Sequence, residues 1–285
     1  MKGRMMQLFS VVGIALVLLL LAGIGFAKPK ATGKKITSTE EINGYVMAGV
    51  EAARMQAEHA EVLFETILGV ELAGYRETET LQELLFELRS GRADVICCPD
   101  VVAEYLLKTE EDLVRLTAPK DRSGGVEGGG RLSFAMAMPT GKEDLKNELD
   151  AAISELEEEG ILKALAVAYV EADVPMELYR DNAHTEKETL YVGVTGTVPP
   201  LDLLDENGRS CGFSVALLRE LEKRTGYSFE PVSVTLKEAF SFLNSGKIDL
   251  LFAYGTSKNT TPGEKEYLVT KGYYTMDEYA YLVLK

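Results

Sequence analysis

The stretch Leu88-Arg-Ser-Gly-Arg-Ala-Asp-Val95 is similar, residue type by residue type, to a second stretch, Leu243-Asn-Ser-Gly-Lys-Ile-Asp-Leu250. Each copy has the pattern of a helix end, a glycine that stops the helix, and an aspartate that opens a buried strand. A Ser-Gly turn suits any junction between a helix and a strand, so one copy alone means little. A match over the whole stretch favours a chain built from two lobes of similar topology.

Strands and helices alternate around both copies, which predicts a mostly parallel sheet in each lobe. The fold class predicted is therefore α/β. Between the copies, a strand at 132–138 precedes a long amphipathic helix that begins near Lys142 and is broken at Gly160, and a polar linker follows. The other predicted strands are 45–50, 70–75, 93–98, 190–194 and 248–253, and the other predicted helices are 52–67, 80–89, 101–108, 214–224 and 236–244.

Composition excludes several classes of function. The 285 residues carry a formal net charge of -15, which argues against binding nucleic acid or an anionic membrane surface. Three cysteines and two histidines form no metal-ligand pattern, and we expect no cofactor and no metal. Cys97 and Cys98 lie in an apolar strand and are interpreted as core residues.

The N-terminus reads as a targeting segment. Lys2 and Arg4 precede an uncharged run that lasts until Lys28, and Gly25-Phe-Ala27 offers a signal-peptidase site. The uncharged run is also about the length that spans a bilayer, roughly 20 residues. A cleaved signal peptide and an uncleaved anchor both stay open, and either predicts export to the periplasm or the cell exterior.

A set of motifs near the C-terminus carries a family resemblance. Tyr191-Val-Gly-Val-Thr-Gly-Thr-Val-Pro-Pro200 is followed by Asp205-Glu-Asn-Gly208, Cys211-Gly-Phe213, Ser245-Gly-Lys-Ile-Asp249 and Tyr273-Tyr274. In this order they resemble the first lobe of the family 3 extracellular solute-binding proteins, the receptors of ABC importers for polar amino acids. Residues 36–44, 90–105 and 145–169 resemble the second lobe and the closing helices of that family.

The resemblance implies a two-lobed periplasmic-binding-protein-like fold of type II with its lobes in circularly permuted order. The boundaries predicted are a signal peptide or anchor at 1–27, a linker at 28–35, a lobe 2-like domain at 36–130, a strand and closing helices at 131–171 that pack on lobe 1, a linker at 172–189, and a lobe 1-like domain at 190–285. A fragment of a longer tandem sensor is the alternative. Permutation predicts that strand 279–284 meets segment 36–44 end to end, and that strand 132–138 crosses between the lobes.

In such proteins the solute lies between the lobes, at the carboxyl ends of the strands. Carried over by position, the resemblance implies ligand contacts from both lobes. In lobe 1 these are Thr195, Thr197, Leu201, Tyr254 and Thr256. In lobe 2 they are Arg54 and Asp100, with Glu51 and Ala53 beside them and helix N–H groups near Ala53 as an anion site.

Several positions depart from the family pattern. Where amino-acid receptors have an arginine for the ligand carboxylate, Thr261-Pro262 is followed by Gly263-Glu264, and Glu264 would repel a carboxylate. The acidic residue expected for the ligand ammonium aligns with Pro99, one residue before Asp100. Leu201 replaces an aromatic residue and Ser214 replaces an acidic one. An ordinary amino-acid ligand is therefore not expected.

Three functions stay open from the sequence. The first is an exported monomeric receptor for a small polar solute, a partner of an ABC permease. The second is a sensory or partner-binding module with a degenerate pocket. The third is a lyase-like enzyme on the same fold, although no Asp or Glu pattern points to catalysis.

Overall fold

A computed structural model of the chain describes residues 36–50, 57–117, 132–172, 187–256, 267–276 and 279–285. The predicted signal segment and both predicted linkers lie almost wholly outside the described residues. Residues 35–285 form one compact unit that contains two β-sheets.

Lobe 2 is the part built on the five-stranded sheet with the order β2-β1-β3-β11-β4. Its strands and helices are β1 (Val46–Val50), α1 (Ala57–Leu68), β2 (Gly74–Thr78), α2 (Leu81–Arg89), β3 (Val95–Pro99), α3 (Asp100–Thr109), β4 (Leu113–Arg115) and, from the end of the chain, β11 (Tyr279–Leu284). A 3-10 turn at Thr39–Glu41 precedes them.

Lobe 1 is the part built on the second sheet, with the order β10-β5-β8-β6-β7 and β9 paired to β5. It contains β5 (Leu132–Pro139), α4 (Glu143–Glu158), α5 (Ile161–Ala166) with a wider turn at Val167–Glu171, β6 (Thr189–Val194), α6 (Phe213–Thr225), β7 (Ser228–Ser233), α7 (Leu236–Ser245), β8 (Leu250–Thr256), β9 (Tyr267–Val269) and β10 (Tyr274–Met276).

The two sheets have the same plan. In lobe 2, β2, β1 and β3 are parallel, and β11 is antiparallel to β3 on one side and to β4 on the other. In lobe 1, β7, β6 and β8 are parallel, and β5 is antiparallel to β8 and to β10. Each sheet thus receives its antiparallel strand from a distant part of the chain. This confirms the predicted α/β fold with two lobes of similar topology.

The repeated sequence stretch occupies equivalent positions in the two sheets. Gly91 and Gly246 follow α2 and α7 with φ of +70° and +71°, a conformation that favours glycine. Asp94 then accepts the Val46 N–H and donates its own N–H to Val46 O, at 2.9 and 2.8 Å. Asp249 makes the same pair of bonds with Tyr191, at the same two distances.

The repeat also extends further back than the quoted stretch. The threonine before α2, Thr80, accepts the Glu83 N–H at 3.1 Å, and the threonine before α7, Thr235, accepts the Glu238 N–H at 3.2 Å. Hydroxyl caps of this kind satisfy backbone donors that a helix start leaves unpaired. Each lobe therefore begins and ends this helix in the same way.

The predicted closing helices pack on lobe 1. Leu149, Ile153 and Leu156 of α4 are fully buried in the largest hydrophobic cluster, which also contains Leu217 and Leu221 of α6. Arg224 of α6 pairs with Glu159 just after α4, and Lys271 pairs with Glu157. The same cluster includes residues of both lobes, so one hydrophobic core runs through them.

Four details differ from the sequence predictions. The strand predicted at 70–75 is β2 at Gly74–Thr78, so the two overlap by two residues. β11 lies in the sheet of lobe 2, although 190–285 was predicted as lobe 1. β5 lies wholly in the sheet of lobe 1 and does not cross between the lobes. Segment 36–44 and β11 do not meet end to end: Ser38 pairs with Thr117, whereas Lys285 donates its N–H to Asp112 O. Segment 36–44 turns instead at Thr39–Glu41, because Ile42 is buried in a second hydrophobic cluster of lobe 2.

All three cysteines are free and buried, in agreement with the interpretation of Cys97 and Cys98 as core residues. Burial raises the pKa of Cys98 to about 12 and also raises the pKa of Cys97 and Cys211. Thiols in this state are poor nucleophiles. Within the described part of the chain, no helix is both long and apolar enough to cross a membrane.

Candidate solute-binding site

An ion pair connects the carboxyl edges of the two sheets. Glu79 directly follows β2 in lobe 2, and Lys237 lies in the first turn of α7, shortly after β7 in lobe 1. The Lys237 ammonium is 3.7 Å from the Glu79 carboxylate. Open α/β sheets bind ligands at these edges, so the space between them is the candidate site.

Asp202 organises the loop that follows β6 in lobe 1. Its side chain is 0% exposed. One carboxylate oxygen accepts the Val198 N–H at 2.7 Å, and the other accepts the Thr197 N–H at 3.2 Å and the Thr195 hydroxyl at 2.8 Å. Burial raises the pKa of Asp202 to about 6, while these hydrogen bonds act to lower it. The side chain is therefore ionised above neutral pH, and its hydrogen bonds hold the loop together from the interior.

The two predicted threonines of this loop are linked to each other. The oxygens of the Thr195 and Thr197 hydroxyls are 2.8 Å apart. Because Thr195 donates its proton to the ionised Asp202, the bond between the threonines must use the Thr197 proton. Thr195 also accepts the Thr197 N–H at 3.4 Å. Thr195 thus has both its proton and its lone pairs engaged, whereas Thr197 keeps the lone pairs of its oxygen.

The end of β8 forms the neighbouring part of lobe 1. Thr256, predicted as a ligand contact, is half-buried and donates its hydroxyl proton to Ser133 O at 3.1 Å. Ala253 has a φ of +52°, a strained conformation for a residue with a side chain. Its N–H donates to the hydroxyl oxygen of Tyr273 at 2.9 Å, and Tyr273 stacks on Phe252 with ring centroids 5.0 Å apart.

One predicted contact in lobe 1 needs correction, and two others, Thr197 and Tyr254, are largely buried, at 8% and 6% exposed. Leu201 is 0% exposed within the hydrophobic core, so its side chain has no surface for a solute. Tyr254 packs edge-on against Phe240, with ring centroids 6.4 Å apart. Burial of a large apolar side chain is worth about 1.5–3 kcal/mol, which explains why both side chains turn inward. Ser214 is likewise buried, with its hydroxyl 2.8 Å from that of Ser210.

In lobe 2 the structure describes one predicted ligand residue, Asp100, at the start of α3. Its carboxylate is 2.7 Å from the Arg115 guanidinium, which is also 2.9 Å from Glu104. Asp100 is therefore already paired with a cation of its own lobe. The predicted residues Arg54, Glu51 and Ala53 lie outside the described residues, as do Thr261-Pro262 and Glu264.

Sequence reasoning missed Asp202 and Tyr273. The signal for Asp202 was present, since it is the one charged residue in the otherwise apolar run Val198–Leu204. A charge in such a run is either exposed or fully hydrogen-bonded in the interior. Tyr273 belongs to the Tyr273-Tyr274 motif, but its contact with Ala253 depends on the bulge where β8 pairs with β5. Among the described residues, no group of His, Cys, Asp and Glu side chains could hold a metal ion.

Two lobes of matching topology, with a polar loop at the carboxyl edge of one of them, are the architecture that the motifs predicted. Residues 190–285 match the bacterial extracellular solute-binding proteins, family 3. This range contains β6, the Asp202 loop, β8 and Tyr273, and the match confirms the resemblance to family 3 for this third of the chain.

The relatives are weakly similar and only partly covered. The L-cystine-binding protein TcyJ of Escherichia coli K12 is 25% identical over 154 residues, which is 54% of this chain and 52% of that protein. The protein of the same name in E. coli O6:H1 strain CFT073 matches to the same extent. The chain thus spans about half the length of the curated relatives that it matches. Both are binding proteins by name.

The solved structures that resemble this chain have low TM-scores and low sequence identities. The ligand-binding component of an ABC-type import system from Staphylococcus aureus, solved with zinc bound, is 13% identical with a TM-score of 0.41, covering 85% of this chain and 66% of that one. A periplasmic binding protein of an arginine transport system from Legionella pneumophila is 6% identical with a TM-score of 0.39, covering 85% and 86%. Scores this low do not establish a common fold alone, so the two-lobed fold rests on the sheet order and register described above.

Proposed function

We propose that this chain is an extracytoplasmic solute-binding protein that holds a small polar solute between lobes 1 and 2. The observation that carries the proposal is the Asp202 loop. A carboxylate is buried at the carboxyl edge of lobe 1, and its hydrogen bonds hold Thr195 and Thr197 of the same loop. The match of the same residues to family 3 supports this function, and the predicted export segment agrees with it.

The contacts proposed are few. In lobe 1 they are Thr197 and Thr256, whose hydroxyl oxygens lie at the carboxyl edge, with Thr195 behind Thr197. In lobe 2 they are Asp100 and Arg54. Asp100 must leave or share Arg115 in order to meet a solute, which makes lobe 2 the less prepared half of the site.

Delivery to an ABC permease is the proposed role of the bound form, and binding rather than catalysis is the proposed activity. Two-lobed receptors of this kind close around the solute by a hinge motion. We further propose that lobe 2 precedes lobe 1 in this chain because the fold is circularly permuted. The position of β11, which follows lobe 1 and joins the sheet of lobe 2, supports this order, whereas segment 36–44 does not meet β11 end to end.

A thermal-shift panel on the full chain tests the proposal. A solute that binds only the folded state raises the free energy of unfolding by about 2.7 kcal/mol at a hundredfold excess over Kd. L-cystine belongs in the panel because a relative is named for it, beside glutamine, arginine, glutamate, cationic amines and uncharged polar solutes. A shift with at least one solute is expected, and common α-amino acids are expected to shift the protein weakly. No shift with any solute would contradict a receptor function.

Arg54 supplies a control for the amino acids. If an α-amino acid does raise the melting temperature at micromolar concentration, Arg54 is the proposed partner of its carboxylate. Arg54→Ala should then abolish the shift and leave the melting temperature of the unliganded protein nearly unchanged. A shift that persists in Arg54→Ala would remove Arg54 from the site.

A sensory or partner-binding module with a degenerate pocket is the second candidate. The burial of Leu201 and Tyr254 and the pairing of Asp100 with Arg115 favour it, because three predicted contacts are occupied within the protein itself. A panel without any shift, together with binding to a membrane-bound partner, would favour this second function.

A further inference from the structure

Three hydroxyl protons at the carboxyl edge of lobe 1 point inward. Thr195 donates to Asp202, Thr197 donates to Thr195, and Thr256 donates to Ser133 O. The first and last of these directions are unambiguous, because an ionised carboxylate and a backbone carbonyl can only accept. The direction of the middle bond then follows, because Thr195 has one proton and Asp202 already takes it.

A hydroxyl that donates its proton to a group inside the protein can only accept hydrogen bonds from a solute. We infer that Asp202 sets the polarity of this edge through the hydroxyl relay, defined as Thr197 to Thr195 to Asp202, so that lobe 1 selects a solute group that donates hydrogen bonds, above all a cationic ammonium. This inference rests on the proposed function and adds to it the chemical class of the solute and the residue that determines it.

Electrostatics favours the same class. Asp202 places a full negative charge behind the threonines, and its burial in low dielectric extends the reach of that charge. The Asp202 charge helps to raise the pKa of the Tyr273 hydroxyl, and Lys237, a cation at the same edge, is paired with Glu79. Tyr273 is therefore neutral and does not offset the carboxylate. An anionic solute would meet both the wrong hydrogen-bonding polarity and a like charge.

The relay also predicts what its disruption would do. In Asp202→Asn, the side-chain oxygen is expected to keep the shorter bond, that from the Val198 N–H, and the new NH2 group would face Thr195 and the Thr197 N–H, which then keeps only its 3.4 Å bond to Thr195. An NH2 group donates, so Thr195 must accept there, turn its own proton to Thr197, and leave the Thr197 proton free to point outward. The same edge would then donate hydrogen bonds instead of accepting them.

The test compares two probes of equal length, 1,5-diaminopentane and pentanedioate, which carry an ammonium or a carboxylate at each end. Binding to the full chain is measured by titration calorimetry at pH 7.5 and by thermal shift. The diamine is expected to bind at least about tenfold more tightly than the diacid, the effect of one charge-assisted hydrogen bond. In Asp202→Asn that preference should fall to about unity or reverse.

Matched variants separate polarity from simple loss of charge or of folding. Glu206→Gln removes one exposed carboxylate from the same loop and should keep the preference of the wild type. If Asp202→Asn does not fold, Thr197→Ser and Thr197→Val replace it: serine keeps the hydroxyl and should keep the preference, and valine should lose it. A tighter complex with the diacid than with the diamine in the wild type would overturn the inference, and so would an unchanged preference in Asp202→Asn and Thr197→Val.

A ligand-free measurement keeps the relay distinct from the proposed function. In amide-resolved NMR spectra at pH 7.5, the Thr197 and Val198 N–H signals should move downfield as donors to a carboxylate, and they should move upfield in Asp202→Asn but not in Glu206→Gln. Spectra without this pattern would overturn the relay itself. Binding of neither probe, with the spectra as expected, would overturn the receptor function and the solute class while the relay stands.

Discussion

The two lobes have the same hydrogen bonds at the amino edges of their sheets and different ones at the carboxyl edges. At the amino edge, Asp94 and Asp249 make the same pair of backbone hydrogen bonds, after glycines with the same φ. At the carboxyl edge, lobe 1 has a buried aspartate that orders two threonines, whereas lobe 2 has a half-exposed aspartate paired with Arg115. The hydrogen bonds common to both amino edges are those that the topology requires. The carboxyl edges, which differ, are where a solute would be selected.

The largest expected effect separates the two carboxyl-edge aspartates. Asp202→Ala leaves the buried Val198 N–H without an acceptor and leaves the Thr197 N–H only its 3.4 Å bond to Thr195, and each group that loses its acceptor costs about 1–3 kcal/mol. The free energy of unfolding at pH 7.5 should fall by about 3 kcal/mol, as measured by urea denaturation. Asp100→Ala breaks a partly exposed ion pair and should cost less than about 1 kcal/mol. Equal losses in the two variants would show that the carboxyl edges do not differ as described.

The pH dependence of stability provides the next effect. The folded-state pKa of Asp202, about 6, lies above its ordinary value of 3.8, so the folded protein binds this proton more readily than the unfolded chain. Its contribution to stability is therefore fully present below about pH 4 and is lost as the pH rises through about 6. From the size of this shift, wild type should gain about 2.4 kcal/mol relative to Asp202→Asn as the pH falls from 7 to 4. Parallel stability curves for the two proteins would contradict the buried, raised pKa.

The matching amino edges predict equal losses of stability when either strand-opening aspartate is removed. Asp94→Ala and Asp249→Ala each remove a charged acceptor from one backbone N–H, in the same geometry. Each should lower the free energy of unfolding by about 1.5 kcal/mol. The two losses should agree within about 0.5 kcal/mol, the tolerance for independent sites. A clear inequality would mean that the two copies of the repeat are alike in sequence and shape but not in energetic role.

The smallest effect concerns backbone strain at the carboxyl edge. Ala253→Gly should relieve the strain of a positive φ and stabilise the protein by about 0.5 kcal/mol, after the added flexibility of glycine is subtracted. Gly246→Ala is the opposite change at the amino edge: no atom lies within 4 Å of an added Cβ, so the backbone alone should cost about 1 kcal/mol. Thermal denaturation of both variants measures the pair. A loss of stability in Ala253→Gly would show that the bulge is not strained.

The sequence predicted the amino edges well and the carboxyl edges poorly, for a physical reason. Helix ends, glycine stops and strand-opening aspartates act within a few residues, so their pattern is visible in Leu88–Val95 and Leu243–Leu250. The placement of Leu201 and Tyr254 depends on whether a side chain reaches the core or the cleft, which the local pattern does not determine. The position of β11 depends on pairing with β3, far away in the chain.

Amide hydrogen exchange with and without a bound solute tests the central claim most directly. The probe is 1,5-diaminopentane, added to the full chain at a concentration that saturates the thermal shift. The account predicts slower exchange at two segments together, 195–198 in lobe 1 and 99–104 in lobe 2, with little change around Asp94 and Asp249. Slower exchange in one lobe only, or at the amino edges, would contradict a receptor that holds its solute between the carboxyl edges of two lobes.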